Sequence, residues 1–217
     1  KRDSLSRGLG GIKSNYMKIE NQIIQGDCLE FMRELPDKSI DLILTDPPYG
    51  LNSKMKGGTW GINKIYAEML EWDNLISEEH FKEMYRVSKN QIIWGGNYYA
   101  MPPSRCWLAW EKTEKMDTLA DFELAWTSYD KLAKMFKERR NPDGKREHPT
   151  QKPLDLMKWC IQFADKHEKV ETVFDPFSGS GTTLVASKQL SKTFFGTEIN
   201  PDYVKIINNR LRQDILI

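Results

Sequence analysis

The strongest constraint on the fold lies between Gln22 and Thr45. Gln22-Ile23-Ile24-Gln25 reads as a short strand. Gly26-Asp27 then turns into Cys28–Leu35, where Leu29, Met32 and Leu35 share one helical face and Asp27 with Glu30 matches a capping box. Pro36-Asp37 ends that helix. Ile40-Asp41-Leu42-Ile43-Leu44-Thr45 is a mostly apolar run of strand length. Strand, helix and strand within about 25 residues form a βαβ unit, whose crossover makes the two strands parallel. A parallel sheet needs helices on both faces, so the fold class is α/β, a Rossmann-like, mostly parallel sheet.

The remaining pattern continues this rhythm. Ser77 can cap a helix over Glu78–Ser88. Strands follow at Gln91–Trp94, Cys106–Trp110 and Phe122–Thr127. Leu156, Trp159, Cys160 and Phe163 form the apolar stripe of a helix from Leu154 to about Lys166. A strand at Glu171–Phe174, a helix at Leu184–Leu190 and a strand at Thr193–Thr197 come next. Asn200 caps a last helix with Pro201 at its first position. Residues 17–217 are expected to form one domain. Residues 1–16, rich in Gly, Ser and basic side chains, are expected to be a flexible leader, the rival being a basic arm that touches nucleic acid. Residues 50–72 interleave glycines with Lys54, Lys56, Trp60, Lys64 and Tyr66, as in a long functional loop.

Composition removes several classes. A chain of 217 residues with 39% hydrophobic residues can build a real core. Its 32 basic and 31 acidic residues carry no global polyanion signature, so a nucleic-acid surface must be local. Cys28, Cys106 and Cys160 form no C-x-x-C pair, which argues against a zinc site or a disulfide framework and fits a reducing cytoplasm. No metal is expected, since the three histidines are scattered. No apolar run approaches the ~20 residues needed to span a bilayer, and no membrane partner is expected.

Two stretches carry chemistry. Asp46-Pro47-Pro48-Tyr49 follows the strand Ile40–Thr45, where two prolines must stop it. An acid, two rigid residues and an aromatic ring are thus presented at the strand's C-terminal edge, where open α/β sheets bind ligands. Taken alone, the same four residues equally describe a Pro-Pro turn with a capping Asp. The second stretch, Asp175-Pro176-Phe177-Ser178-Gly179-Ser180-Gly181-Thr182-Thr183, joins a strand to a helix. Gly179 and Gly181 let backbone approach a ligand closely. Glu198, at the end of the following strand, can accept hydrogen bonds from both hydroxyls of a ribose. The third glycine of a dinucleotide fingerprint is absent, so the site suits an adenosine-type ligand without a clear pyrophosphate cradle. Between the two stretches, Lys131–Glu147 holds seven basic residues against three acids. It is either a solvated hairpin or a phosphate-contacting segment.

Asp-Pro-Pro-Tyr, then His148-Pro149-Thr150-Gln151-Lys152-Pro153, then Phe177-Ser178-Gly179-Ser180-Gly181 resemble the amino-methylating DNA methyltransferases that use S-adenosylmethionine. The order, with the tetrad ahead of the glycines, is that of the circularly permuted β-class. The resemblance spans about Gln22 to Arg212. It implies that Asp46, Pro47, Pro48 and Tyr49 are catalytic. Asp175, Phe177, Gly179, Gly181, Thr182 and Glu198 would hold the cofactor, with Asp27 and Asn200 near its adenine end and Thr150 and Lys152 on its carboxylate. An Asp at position 46 favours adenine N6 over cytosine N4. DNA is the implied partner, contacted by Lys134, Lys137, Arg139 and Arg140. A homodimer and a restriction endonuclease in the same system are further partners that the resemblance suggests.

The chain is short for this family, so the target-recognition insertion is expected to be short, drawn from loop 50–72 and the basic segment 112–147, with loose or very short sequence specificity. Two other classes remain open: a non-catalytic nucleic-acid-binding subunit beside an active partner, and a Rossmann-type redox enzyme, which lacks its third glycine here.

Overall fold

A computed structural model describes residues 21–50, 75–115, 120–140, 142 and 151–213. The expected leader 1–16, loop residues 51–72, Thr150 and parts of the basic segment (116–119, 141 and 143–147) lie outside the described residues.

The described residues form an eight-stranded sheet flanked by helices on both faces. The strands are β1 (Gln22–Gln25), β2 (Ile40–Thr45), β3 (Ser88–Trp94), β4 (Trp107–Lys112), β5 (Phe122–Thr127), β6 (Lys134–Glu138), β7 (Thr172–Asp175) and β8 (Thr193–Glu198). The helices are α1 (Cys28–Glu34), α2 (Glu78–Val87), α3 (Leu154–His167), α4 (Thr182–Gln189) and α5 (Pro201–Arg212). The spatial order is β1-β8-β7-β2-β3-β5-β4-β6. Only β5 runs against the rest, pairing antiparallel with both β3 and β4.

Alternation along the central strands divides the core. Leu42, Leu44, Ile92, Trp94 and Val173 pack beneath α3 and α4, with Leu156, Cys160, Ile161 and Ala186. Ile43, Ile93, Phe174 and Phe195 point the other way, against Phe31 and Met32 of α1, Leu35 just after it, and Met84 and Val87 of α2. Both faces are therefore buried, which is why these strands are apolar at successive positions. Gly181 lets α5 approach closely, since a Cβ there would stand 2.8 Å from Ile207.

Three local features differ from expectation. β3 begins at Ser88, directly after α2, because the Ser88 hydroxyl donates to the Met84 carbonyl at 2.6 Å and closes the helix without a loop. Asp27 caps α1 by accepting from Leu29 N at 2.8 Å, not from the third residue as a capping box would require. Within the basic segment, Lys134–Glu138 is an edge strand parallel to β4. Phe136 is its inward anchor, with its ring 5.4 Å from that of Trp159. The lysines flanking it are the charges that natural edge strands carry.

Candidate active site

The C-terminal ends of β1, β2, β3, β7 and β8 meet along one edge of the sheet. From the adjacent pair β2 and β7 the chain moves outward in opposite directions, to β3 on one side and β8 on the other. Such a switch point opens a crevice between the loops that leave the two strands. The loop after β2 is Asp46–Tyr49, and the loop after β7 is Pro176–Gly181. The Thr45 hydroxyl donates to Asp175 Oδ1 at 2.7 Å and ties these ends together. Asp175, also accepting from Phe177 N at 3.1 Å, is 3% exposed. Burial, against the pull of its hydrogen bonds, pushes its pKa up to about 7. It braces the two loops from beneath.

The glycine turn is held by Glu198. One carboxylate oxygen accepts from Gly179 N at 2.8 Å and the other from Asn200 N at 2.9 Å. The Glu198 carbonyl accepts from Gly26 N at 3.0 Å, which brings the turn before α1 to the same place. Burial raises the Glu198 pKa, with the Asn200, Gly179 and Ile199 amides pulling it down. Gly179 has φ +51, and a Cβ there would meet nothing within 4 Å. Open space therefore lies over the turn. Asn200 caps α5 by accepting from Asp202 N. Arg210 donates to the Ser180 carbonyl at 2.7 Å and to Thr182 Oγ1 at 3.3 Å, fixing the far end of the turn.

The Asp46 turn is enclosed by aromatic rings and charges. The Tyr49 hydroxyl donates to Asp46 Oδ1, and the Tyr99 hydroxyl donates to the Pro48 carbonyl. The Tyr49 ring stacks on Tyr98, with centroids 4.8 Å apart and planes at 24°. It lies against Gly95, where a Cβ would fall 1.9 Å from the ring. Burial and the Asp46 charge raise the Tyr49 pKa well above its usual value, so its proton stays available to Asp46.

Lys152 sits at 2.5 Å from Asp46 Oδ2 and 3.0 Å from Glu123 Oε2, and Lys112 sits at 2.6 Å from Glu123 Oε1. Burial opposes the charge on Lys152, but Asp46 and Glu123 outweigh it and raise its pKa. Burial would likewise raise Glu123, yet Lys152 and Lys112 hold it down to about 2. For Asp46, burial dominates and raises the pKa, with Lys152 opposing and Glu123 adding to the rise.

A family model described as "DNA methylase", of the N6/N4 methyltransferase type, matches residues 97–209, more than half of the chain. The chain belongs to this DNA methylase family. The match covers the glycine turn and Glu198 and begins after the Asp46 turn. Among curated relatives, the Type II methyltransferase M.HinfI of Haemophilus influenzae is 28% identical over 93% of this chain and 71% of that protein. The Type II methyltransferase M2.MboI of Moraxella bovis is 26% identical over 88% of this chain and 87% of its own length. Among solved structures, the PvuII cytosine-N4-specific DNA methyltransferase aligns with TM-score 0.61, 18% identity and coverage of 94% and 92%. The M1.HpyAVI–SAM complex aligns with TM-score 0.58, 23% identity and coverage of 87% and 98%. At these identities the two structures establish a shared fold.

In this DNA methylase, the fold brings Asp46–Tyr49, Asp27, Asp175, Phe177, Gly179, Gly181, Thr182, Glu198 and Asn200 to one sheet edge. Lys152 departs from its expected place on the cofactor's carboxylate, since its ammonium is turned onto Asp46 and Glu123 and its side chain is 5% exposed. The expected DNA contacts also divide. Arg140 is 9% exposed and donates to the Ala120 carbonyl at 3.0 Å, so it faces protein. Lys137 pairs with Glu111 at 2.8 Å and Arg139 with Glu114 at 3.3 Å, both more than 60% exposed at the site edge. Lys134 is exposed but starts β6 at the opposite edge, about 13 Å along the strand.

Sequence reasoning missed Glu123, Lys112, Tyr98, Tyr99 and Gly95. The signal for Glu123 is a carboxylate in an otherwise apolar strand, which needs a counter-ion once that strand is buried. Asp27, Cys28 and His80 place potential metal-ligand atoms within 4.8 Å of one another. Asp27 already serves as a helix cap, and burial pushes the Cys28 thiol up to about 12, away from the thiolate a metal needs.

Proposed function

We propose that this DNA methylase transfers a methyl group from S-adenosylmethionine to the N6 amine of an adenine flipped out of DNA. The observation that carries this reading is the juxtaposition, across one switch point, of the Asp46–Tyr49 turn and a glycine turn clamped by Glu198. The space over Gly179, with its positive φ, suits close approach of a ligand to backbone, and Glu198 at a strand end suits a ribose diol. Phe177, Gly181, Thr182, Asp27, Asn200, Asp175 and, outside the described residues, Thr150 complete the proposed cofactor site. When bound, the cofactor supplies an electrophilic methyl group on a sulfonium.

The chain's own part is orientation. An exocyclic amine is a poor nucleophile because its lone pair is delocalised into the ring. Asp46 and the Pro47 carbonyl each accept one of its N–H bonds, which steers nitrogen towards tetrahedral geometry. Pro47 and Pro48 hold those acceptors still, so no reorganisation is needed in the transition state. Tyr49, already stacked on Tyr98, belongs to an aromatic platform that offsets part of the few kcal/mol needed to unstack the base. Asp46 enters as an acceptor whose charge matches an amine made more acidic by reaction; the choice of adenine rests on the resemblance, in which Asp at this position goes with adenine N6. Lys137 and Arg139 are the proposed phosphate contacts, released from exposed ion pairs that solvent screens.

The test is nucleoside mass spectrometry of DNA incubated with isotopically labelled cofactor, with Asp46→Ala as control. Label in N6-methyladenine is expected from the native chain and none from the variant. Label confined to N4-methylcytosine would refute the base assignment. Mapping the modified positions tests the expected short recognition sequence, and light scattering tests the homodimer. Cofactor binding without transfer by the isolated chain would favour a non-catalytic subunit.

A further inference from the structure

Four charged side chains from separate stretches of chain alternate in sign behind the Asp46 turn. Asp46 follows β2, Lys152 precedes α3, Glu123 is on β5 and Lys112 ends β4. Successive Nζ–O separations are 2.5, 3.0 and 2.6 Å, and the two lysine side chains are 5% and 8% exposed. Neutrality alone requires only Asp46 beside Lys152. A second carboxylate with its own lysine adds desolvation cost without improving the balance of charge. Its effect is geometric. An ammonium has three donors, and Glu123 takes one of them alongside Asp46. Lys112 holds the other oxygen of Glu123, so Glu123 cannot swing aside.

Resting on the role given to Asp46 above, we infer that Glu123 is a positioning residue for methyl transfer, which shares the Lys152 ammonium with Asp46 so that Asp46 stays aimed at the target amine and keeps its strength as an acceptor. Without Glu123, Lys152 would deliver its whole charge to Asp46 Oδ2. The Asp46 carboxylate already accepts from Tyr49 on its other oxygen, and the more of its charge an ammonium neutralises, the weaker an acceptor it is for the amine. In this role Glu123 acts through Lys152, its partners in the structure being the two lysines. Among the described residues, the charged and titratable groups acting on Asp46, Lys152 or Glu123 include Tyr49 from the same turn, Lys112 from β4, Cys160 from α3 and Asp175 from β7, with Tyr98 beside Tyr49. The Glu123 charge acts on Asp46 in the direction that favours its acceptor strength, raising its affinity for protons.

The experiment uses the full chain with S-adenosylmethionine and unmethylated DNA, comparing wild type, Glu123→Gln and Glu123→Asp. For Glu123→Gln the expectation is a kcat reduced by roughly tenfold to a hundredfold, as for a small misplacement of a reacting group, with the Kd for cofactor unchanged. The acid limb of the kcat profile should move to lower pH, because Asp46 has lost a neighbouring negative charge. Glu123→Asp, which keeps the charge on a shorter arm, should show an intermediate kcat and an unmoved acid limb. Should Glu123→Gln fail to fold, Glu123→Asp carries the test, and a wild-type kcat there overturns the inference. An unmoved acid limb in a folded Glu123→Gln overturns it. So does a loss of cofactor affinity equal to the loss of rate, which would place the released Lys152 on the cofactor. A wild-type chain that transfers no methyl group to any DNA overturns the role of Asp46 itself, and this inference with it.

Discussion

Gly95→Ala isolates the placement of Tyr49. Gly95 follows β3 with φ +67 and ψ +16, and its N–H donates to the Leu124 carbonyl at 2.8 Å. Its backbone is therefore tied to β5 and cannot retreat. An added Cβ would stand 1.9, 2.4 and 2.6 Å from Cε1, Cζ and Cδ1 of Tyr49. Ordinary carbon contacts are about 3.5–4.0 Å, so the ring must withdraw by roughly 1.5–2 Å. Left-handed backbone at an alanine costs about 1–2 kcal/mol, and losing the Tyr98 stack costs about 0.5–1.5 kcal/mol more. The sum, about 1.5–3.5 kcal/mol, leaves a domain of ordinary stability folded. The Tyr49 hydroxyl, however, no longer reaches Asp46, and a displacement of an ångström or more near the chemistry can cost about a hundredfold in rate. Urea titration should show the modest stability loss, calorimetry an unchanged cofactor Kd, and methyl-transfer assays a kcat lowered by roughly a hundredfold. A kcat within about threefold of wild type, with the stability loss present, would refute the claim that the Tyr49 position matters to transfer.

Lys152→Met should destabilise the fold by about 3–5 kcal/mol at pH 8, since it removes the buried cation of Asp46 and leaves Glu123 with Lys112 alone. Those carboxylates then bind protons more readily, so the loss should shrink at pH 5; equal losses at both pH values in urea titrations contradict this. Asp175 has a folded pKa of about 7 against 3.8 unperturbed, so the stability it contributes is full below 3.8 and is lost as pH rises through 7. Asp175→Asn should therefore gain on wild type between pH 4 and pH 7, by at most roughly 4 kcal/mol; a melting-temperature difference that stays flat across that range counts against the assignment. Glu198→Gln replaces one of two acceptors with a donor facing a backbone N–H. Its cofactor affinity, measured calorimetrically, should fall by about 1.5–3 kcal/mol, and an unchanged Kd would remove Glu198 from the ribose site.

Much of the architecture is legible locally. The apolar runs at Ile40–Thr45 and Thr172–Asp175, the caps at Asp27 and Asn200 and the prolines after Thr45 each act within a few residues, so composition and spacing expose them. β6 is not legible, because Lys134–Glu138 has a single inward anchor and its remaining side chains suit water as well as a strand. The start of β3 is hidden for a related reason: whether Ser88 ends a helix or opens a strand depends on a hydroxyl satisfying the Met84 carbonyl.

Sequence alone determined most of the elements, the α/β class and the two chemistry-bearing turns, because period, capping and proline chemistry are short-range. Only the tertiary structure decided which charges meet. Lys152 stands beside a cofactor motif in sequence, yet it lies against Asp46, 106 positions away, and against Glu123. A buried ammonium takes the carboxylates that the sheet brings to it. That choice is made by β2 and β5 converging on one edge, and no local pattern encodes it.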